Sequence, residues 1–432
     1  MTAVTGKTFR EPVEISTNFQ QFLGKPTEDL NILKFIKSRL DQFREMIKPS
    51  LEAACNAYER RTKVVKRVLD CSHVRCGVFG SFYINNNYDD FIERFEEYGD
   101  IRPARLVEKM EVEKEEQTFF FEDESGRIPI QVHKHALDEG KLPPLEDFFV
   151  LGACVGLIGY IPTNETKFMI EQVFRPPALL PPSLEYTTER TSVLCIANVF
   201  VDEKKDLKNF CILRDFLKFT PQGKRVSAII LIGSLLQPPI VPEQMYVQGE
   251  QMHYTNLIDV LLCELGTIVD VIVVPGMSDP TDASLPRKPI RPLLLQNSAR
   301  MLTIHRFTSP SVFNINGVKF GAIPDDVISE SVRITYKKPL HLAELMYGYR
   351  HLALPTPHAV DVSPMEHDPF VLSEAVNVVL FCLVGDATDA SIITRDDVLY
   401  VGVPHYDTGV FVMIDAMNGN TPTAKPVVIN LE

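Results

Sequence analysis

Val269-Asp270-Val271-Ile272-Val273-Val274-Pro275-Gly276-Met277-Ser278-Asp279-Pro280 carries four β-branched residues in a row into a Pro-Gly turn. That is the pattern of a buried strand closed by turn residues. Just before it, Tyr254, Leu257, Leu261, Leu265 and Ile268 recur at helical spacing, so a helix is expected over residues 254–268, with its apolar stripe on the core. A helix feeding a buried strand is the repeating unit of an α/β layered domain. Outward from this unit, apolar runs at residues 192–201, 226–233, 301–307, 312–322 and 376–384 read as further strands, and residues 340–352 as a helix. Two late runs, residues 398–403 and 410–414, read as a hairpin. In such domains the reactive groups gather at the carboxyl ends of the strands.

Upstream the pattern differs. Leu33, Ile36, Leu40, Phe43 and Ile47 share one helical face, Thr27 is placed to cap, and Glu28 and Asp29 suit the positive end of the helix dipole. Pro49 interrupts before Leu51, Ala54, Cys55 and Tyr58 resume the stripe, so a kink or two successive helices are both open. Residues 76–84, 118–122, 128–133, 148–161 and 168–174 then read as five strands, which fit a small barrel of the oligonucleotide-binding type. A long insertion holds Asn85, Asn86 and Asn87 and an acidic run over residues 108–116. Phe119, Phe120 and Phe121 stand beside Glu122, Asp123 and Glu124, which favours core and protein contact over base stacking. Arg175-Pro176-Pro177-Ala178-Leu179-Leu180-Pro181-Pro182-Ser183 reads as a stiff linker. The expected division is a tail and helical segment over residues 1–69, the barrel with its insertion and linker over 70–184, and the α/β domain over 185–432.

Composition sets the outer limits. The chain has 432 residues, of which 45% are hydrophobic and 23% charged, enough for more than one buried core. Lys plus Arg number 44 against 57 Asp plus Glu, a formal charge of −13 that repels polyphosphate on average. Eight cysteines are scattered without a CxxC pair, so neither a zinc site nor a disulfide framework is expected. Cys71 and Cys76, with His73 between, read as a strand edge, and His133 and His135 as surface imidazoles at alternate strand positions. The longest apolar stretch falls short of the roughly 20 residues that span a bilayer. The polar opening with Thr2, Thr5, Lys7, Thr8 and Arg10 lacks a secretory signal, which points to cytosol or nucleus. Tryptophan is absent, so any tryptophan fluorescence of an assembly reports on its partners.

The strand ends resemble a metallophosphoesterase stripped of its ligands. A two-metal hydrolase needs carboxylates, imidazoles and an amide converging on two cations ~4 Å apart, because the metals both activate water and clamp phosphate. The resemblance places Asn198 and Phe200 where that family has an aspartate and a histidine. Ser234 and Gln237 replace two aspartates, and Met277 and Ser278 replace asparagine and histidine. Gly233, Gly276 and Asp279 persist; Asp279 before Pro280 suits a turn accepting backbone hydrogen bonds. Gly385-Asp386 follows a late strand, and His405 the next. Asp279, Asp386 and His405 are too few for two cations.

An acidic barrel of this type fused to such a domain resembles the B subunits of the eukaryotic replicative DNA polymerases, and among them the polymerase delta branch. The carrying segments are Pro275-Gly276-Met277-Ser278-Asp279-Pro280-Thr281 with Leu285-Pro286, Ile315-Asn316-Gly317-Val318-Lys319-Phe320, Asp368-Pro369-Phe370, and Gly385-Asp386 leading into Ile392-Ile393-Thr394-Arg395. Val155-Gly156-Leu157-Ile158-Gly159 and Lys167-Phe168-Met169-Ile170-Glu171 fit the same family. The resemblance implies a non-catalytic nuclear scaffold without cofactor or metal. It would hold the cysteine-rich C-terminal module of the polymerase delta catalytic subunit and the N-terminal part of a third subunit, meeting DNA only through the complex and no membrane. Two rivals remain at this point. One is a manganese-dependent phosphodiesterase or exonuclease using Asp279, Asp386, His305, His367 or His405. The other is a single-strand DNA-binding barrel using Arg102, Arg105, Lys109, Lys134 and Lys141.

Overall fold

The computed structural model describes residues 13–17, 32–58, 62–85, 118–181, 191–201, 203–236, 248–363, 365–385, 387–416 and 421–431. Two compact units partition the chain: one is Asn31–Pro177, and the other combines Met1–Leu30 with Ala178–Glu432. The first element, strand β1 (Ile15–Thr17), belongs to the second of these units.

In the first unit helix α1 (Ile32–Ala57) buries Phe35, Leu40, Phe43, Ile47, Leu51 and Cys55 along one stripe. Of the expected face Leu40, Phe43, Ile47, Leu51 and Cys55 are buried, whereas Ile36 is half-buried and Leu33 exposed, Phe35 taking the inward place in the first turn. Pro49 lies inside it and the helix runs through as one element. Pro49 and Glu45, the residue whose carbonyl loses its partner, are both exposed, so water replaces the missing bond. The Thr27, Glu28 and Asp29 cap lies outside the described residues. The sequence reading set this helix apart from the barrel, but α1 packs on the barrel strands and shares their unit.

The barrel strands are β2 (Lys63–Val64), β3 (Cys76–Asn85), β4 (Thr118–Asp123), β5 (Gly126–Val132), β6 (Cys154–Tyr160) and β7 (Phe168–Phe174). They pair in the order β2-β3-β4-β5-β7-β6, and β3 closes on β6. β5 and β7 are parallel, and β2 adds parallel to β3. Leaving β2 aside, this is a closed five-stranded barrel of the expected kind. Its interior is aromatic. Phe82 meets Phe121 edge-on at 6.0 Å and Phe149 at 5.3 Å, and Phe119 meets Phe149 at 4.7 Å. Two of the three consecutive phenylalanines are thus taken up in the core, and Phe120 lies 6.4 Å from Tyr83.

Two readings of this unit are corrected. Residues 148–161 are not one strand: helix α3 (Leu145–Phe148) ends there, a turn follows at Gly152 with φ 79°, and only then does β6 begin. Phe149, Val150 and Leu151 are buried outside any strand, and the chain reaches β3 only at Gly152 and Ala153, which exchange backbone bonds with Phe82; an apolar run reports burial and not conformation. His133 and His135 do not alternate along a strand. His133 caps helix α2 (Lys134–Asp138), its Nδ1 accepting from the His135 N–H at 3.2 Å, while its Nε2 lies 3.1 Å from the Tyr160 hydroxyl. Asn86 and Asn87, the acidic run, Arg102, Arg105 and Lys109 lie outside the described residues.

The second unit is a sandwich of two six-stranded sheets. One contains β8 (Thr191–Ala197), β9 (Ala228–Gly233), β10 (Asp270–Pro275), β11 (Ile304–Arg306), β17 (Val410–Ala416) and β18 (Thr423–Val428), in the order β11-β10-β9-β8-β17-β18. Its first four members are parallel, joined through helices α4 (Glu203–Phe219) and α5 (Gln248–Gly266). The other contains β1, β12 (Ser311–Ile315), β13 (Val318–Ala322), β14 (Val378–Cys382), β15 (Ser391–Arg395) and β16 (Val398–Val403), in the order β1-β12-β13-β14-β16-β15. Helices α6 (Asp325–Thr335) and α7 (Pro339–Gly348) pack on it. Residues alternate between two cores. Leu194, Ile196, Ile229, Leu231, Val271 and Val273 face α4 and α5, whereas Val193, Cys195, Ile230, Ile232, Ile272 and Val274 face Phe313, Phe320, Leu380 and Val401 of the other sheet. Burial on both faces is why these strands read as unbroken apolar runs.

Residues 312–322 form the two strands β12 and β13, turned by Asn316 and Gly317 with φ 48° and 85°, as an Asn-Gly hairpin requires. The late runs are not paired with each other. β16 lies between β14 and β15, and β17 lies in the other sheet between β8 and β18. The connection crosses the sandwich, because each strand is buried on both faces and takes an interior place in its own sheet.

Candidate functional site

The carboxyl ends of β8, β9 and β10 lie side by side, and a hydrogen-bonded network joins them. Asn198 leaves β8 with φ 47° and Phe200 follows with φ 45°. Asn tolerates this left-handed region; a bulky Phe there is strained and has to be held by its surroundings. The Asn198 Oδ1 accepts from the Ser234 N–H at 3.0 Å, and its Nδ2 lies 3.4 Å from His405 Nε2. The Phe200 ring sits 5.4 Å from the His405 ring. Ser234 Oγ accepts from the Ser278 N–H at 3.1 Å and lies 3.3 Å from Asp325 Oδ2, which also accepts from the exposed Met277's N–H at 3.4 Å.

Asp279 closes the network from below. Its Oδ1 accepts from the Leu235 and Leu236 N–H groups at 2.7 and 3.0 Å, and its Oδ2 from the Gly276 N–H at 3.0 Å. The carboxylate thus ties the β10 turn to the β9 turn, the turn role expected of it. Both turn glycines are demanded by packing. A Cβ on Gly233, at φ 81°, would collide with the Asn198 amide and approach Cys382 Sγ, and one on Gly276 would collide with the Ser234 backbone. Gly276→Ala is expected to destabilise the second unit by about 1–3 kcal/mol, because backbone rather than a flexible side chain has to move. Urea unfolding checks this, and an unchanged midpoint would overturn it.

Burial pushes Asp279 up to about 7, against the pull of its three N–H donors and with a further push from Asp325. Burial and Asp326 likewise raise Asp325, opposed by Arg287. The sign for Asp279 follows. The unfolded carboxyl ionises near pH 4 and the folded one near 7, so its contribution is most favourable in acid and is lost as pH rises through that window. The stability of the wild type relative to Asp279→Asn should therefore fall between about pH 4.5 and 7.5, by at most roughly 1.4 kcal/mol per unit. Paired urea titrations across that range measure it, and a relative stability that rises with pH would refute the assignment.

The site has a second layer that sequence reasoning missed. Arg287, 1% exposed, forks onto Asp326 at 3.1 and 2.6 Å and lies 4.0 Å from Asp325. Asp325 and Asp326 open α6, where the helix dipole favours acids. The acidic first turn after Pro324 was the available signal for the helix; nothing local pointed to Arg287 as its partner.

The remaining candidates disperse. Asp368 is buried and holds His351: Nε2 lies 3.1 Å from Asp368 Oδ2, and His351 Nδ1 accepts from the Ala353 N–H at 3.0 Å. An accepting Nδ1 leaves the proton on Nε2, so the imidazole donates to the carboxylate. Asp368 Oδ1 accepts from the Phe370 N–H at 2.9 Å, and the Phe370 carbonyl accepts from the Leu352 N–H, so Asp368-Pro369-Phe370 pins two loops together. Gly385, at φ 73°, turns the chain after β14. His305 pairs with Asp270 across β10 and β11, and His367 is exposed; neither joins the network, whereas His405 does. Gln237 and Asp386 lie outside the described residues. In the barrel, Arg127 Nε bonds Glu122 Oε2 at 2.6 Å with its guanidinium 3.5 Å from the Tyr83 ring, and Lys141 pairs with Glu139.

Among the described residues, the candidate donors at the strand ends are already engaged. Both oxygens of Asp279 already accept backbone N–H groups, the Asn198 carbonyl is taken by Ser234, and His405 faces the Asn198 amide. Among the described residues no group of three or more His, Cys, Asp or Glu side chains is placed to hold a metal.

Residues 33–173 match the family model described as the DNA polymerase delta subunit OB-fold domain, and residues 193–383 the one for the B subunit of DNA polymerase alpha/epsilon. Together they span more than three quarters of the chain, in order and without overlap. The chain belongs to the B-subunit family of the DNA polymerases. The DNA polymerase delta small subunit of Oryza sativa subsp. japonica is 24% identical over 366 residues, 79% of this chain and 81% of that one. The same subunit of Arabidopsis thaliana is 24% identical over 325 residues, 70% and 71% of the two chains. Similar solved structures include TT1561 of Thermus thermophilus (12% identity, 56% of this chain, 100% of that one, TM-score 0.30). Another is Chaetomium thermophilum Vps29 (12%, 58%, 100%, TM-score 0.25). As a member of this family the chain combines an OB barrel with a mixed α/β sandwich, in which Gly233 and Gly385 take up positive φ at turns and Asp368 closes a loop on Phe370.

Proposed function

We propose that this chain is a non-catalytic accessory subunit of DNA polymerase delta. Its α/β unit is a phosphoesterase-like domain whose metal site has been converted into a backbone clasp. The observation that carries the reading is Asp279: the one acid retained at the strand ends accepts three main-chain N–H groups, so a position suited to a metal ligand is spent on structure. Asn198, Phe200, Ser234, Met277 and Ser278, with Gln237 beyond the described residues, are the former ligand positions. In place of chemistry the chain offers surface. It bridges the cysteine-rich C-terminal module of the catalytic subunit to the N-terminal region of a third subunit, works in the nucleus, and meets DNA only through the complex.

Affinity capture of the full chain from nuclear extract is expected to retain a polymerase catalytic chain in stoichiometric amount. The isolated chain should bind single strands weakly; a tight, salt-sensitive complex would instead assign the barrel a direct DNA role. The pure chain with added manganese should leave a bis-aryl phosphate intact, and turnover abolished by Asp279→Ala would restore the hydrolase reading.

A further inference from the structure

Residues 283–324 contain no Asp or Glu, in a chain that holds 57 of them. Within this stretch the chain closes a loop at the edge of the sheet that β11 ends. Arg306, on that terminal strand, donates from Nη1 to the Ile290 carbonyl at 2.8 Å, so the loop finishes where it began. Successive turns wind the chain in between: the Leu294 N–H bonds the Arg291 carbonyl at 3.0 Å, the Ala299 N–H the Leu295 carbonyl at 2.9 Å, and the Met301 N–H the Ser298 carbonyl at 3.0 Å. Helix α5 pins the loop from the inner side. Its Asp259 accepts from the Asn297 and Ser298 N–H groups at 2.9 and 2.8 Å, and its Gly266 carbonyl accepts from the Thr303 hydroxyl at 2.8 Å. Ile290, Leu295 and Ile304 are buried in the core shared with α4 and α5. The side chains left outside are of two kinds. Leu293 and Leu302 are 77% and 94% exposed, and Arg291 and Arg300 are exposed in the same turns.

The nearby acids are spent on other groups. Asp259 holds Asn297 and Ser298, Asp270 pairs with His305, Asp282 with Lys288, and Asp326 with Arg287. Among the described residues Arg291, Arg300 and half-buried Arg306 therefore meet no carboxylate. We propose that the outer face of the 290–306 loop, built on Arg291, Leu293, Arg300 and Leu302, docks an acidic amphipathic segment of a partner protein, one that presents leucine-type side chains and carboxylates together. The two features choose the occupant jointly. A phosphate backbone would satisfy the arginines and leave the leucines against water, whereas a purely apolar peptide would cover the leucines and strip water from the cations without replacing it. An acidic amphipathic segment does both, and the guanidinium fork matches a carboxylate. Turns at both ends already hold the loop, so little freedom is lost on binding. The net charge of −13 repels such a segment over the rest of the chain, which confines it to this face. The surface belongs to the chain itself and is independent of any polymerase assembly.

Fluorescence anisotropy of a labelled peptide carrying glutamates and leucines at helical spacing measures the docking on the full chain. The wild type is expected to bind it at least about tenfold tighter than the same peptide with alanine for leucine, and to release it as salt is raised. Arg291→Glu combined with Arg300→Glu should weaken binding by at least about tenfold, each reversal turning an attraction into a repulsion. Leu293→Ser combined with Leu302→Ser should weaken it roughly tenfold through lost apolar contact. All four side chains are exposed, so the urea midpoint should stay where it is, which separates a lost surface from a lost fold. Lys63→Glu combined with Lys66→Glu, the same charge change on exposed lysines of the other unit, should bind as the wild type does. Equal affinity for the two peptides, an equal loss in the lysine variant, or a single-stranded oligonucleotide that binds tighter than the peptide and is weakened by the arginine reversals would each overturn the proposal.

Discussion

Arg287→Ala is expected to destabilise the α/β unit by about 3–5 kcal/mol, the cost of leaving a buried charge without its partner. Arg287 is essentially sealed from solvent and satisfies Asp326 through two parallel bonds, with Asp325 4.0 Å away. Its removal leaves two adjacent carboxylates at the head of α6 with no cation beside them, compensated by the helix dipole and by hydrogen bonds from Ser234, Met277 and Val327. Arg287→Lys should recover little, because an ammonium cannot fork onto a carboxylate. Arg287→Met combined with Asp326→Leu should recover much of the loss, since an apolar pair of similar volume replaces a desolvated ion pair. Urea unfolding of the full chain with protease susceptibility of the second unit measures all three. An Arg287→Ala variant within about 1 kcal/mol of wild type, at neutral pH, would show that the pair is more hydrated than its burial implies.

Asp368→Ala should cost about as much, roughly 3–5 kcal/mol, by orphaning the His351 Nε2–H and the Phe370 N–H in the core. Both Asp368 and His351 are buried, and each ring nitrogen of His351 has a partner. Asp368→Asn is the informative variant. Its amide oxygen can still accept from one donor, but its NH2 then faces the other, so about half the loss is expected. Because the Asp368 cluster supports loops 350–354 and 368–372 and not the strand-end network, the variant should leave the Asp279 pH response unchanged. A change in that response would mean the two regions are coupled, contrary to their separate hydrogen-bond networks.

The strand β10 was readable because four consecutive β-branched residues between a helix and a Pro-Gly turn have one good solution, a parallel strand buried on both faces. The barrel strands β3, β4, β5 and β7 were readable for a similar reason, each bounded by polar or turn residues. Residues 149–153 were not, since their apolar character comes from plugging the barrel while their backbone turns at Gly152. The partners of β16 and β17 were also hidden: proximity along the chain suggested a hairpin, and each strand instead found an interior place in a different sheet. At the candidate site, Asn198, Ser234, Ser278 and Asp279 were named by the resemblance of the strand ends to a metallophosphoesterase, and the network does join them. Arg287 was invisible because its partner lies 39 residues away and pairing charges have no period.

What the residues determined unaided was local: which segments are buried, where the chain turns, and which side chains stand at the strand ends. Burial of apolar surface is non-directional, so a pattern states that a segment goes inside without stating against what. Tertiary structure alone decided the neighbours. It put β16 and β17 in opposite sheets, closed Arg287 on Asp326, and delivered three N–H groups to Asp279, because hydrogen bonds and ion pairs are directional and act only once the remote chain has arrived.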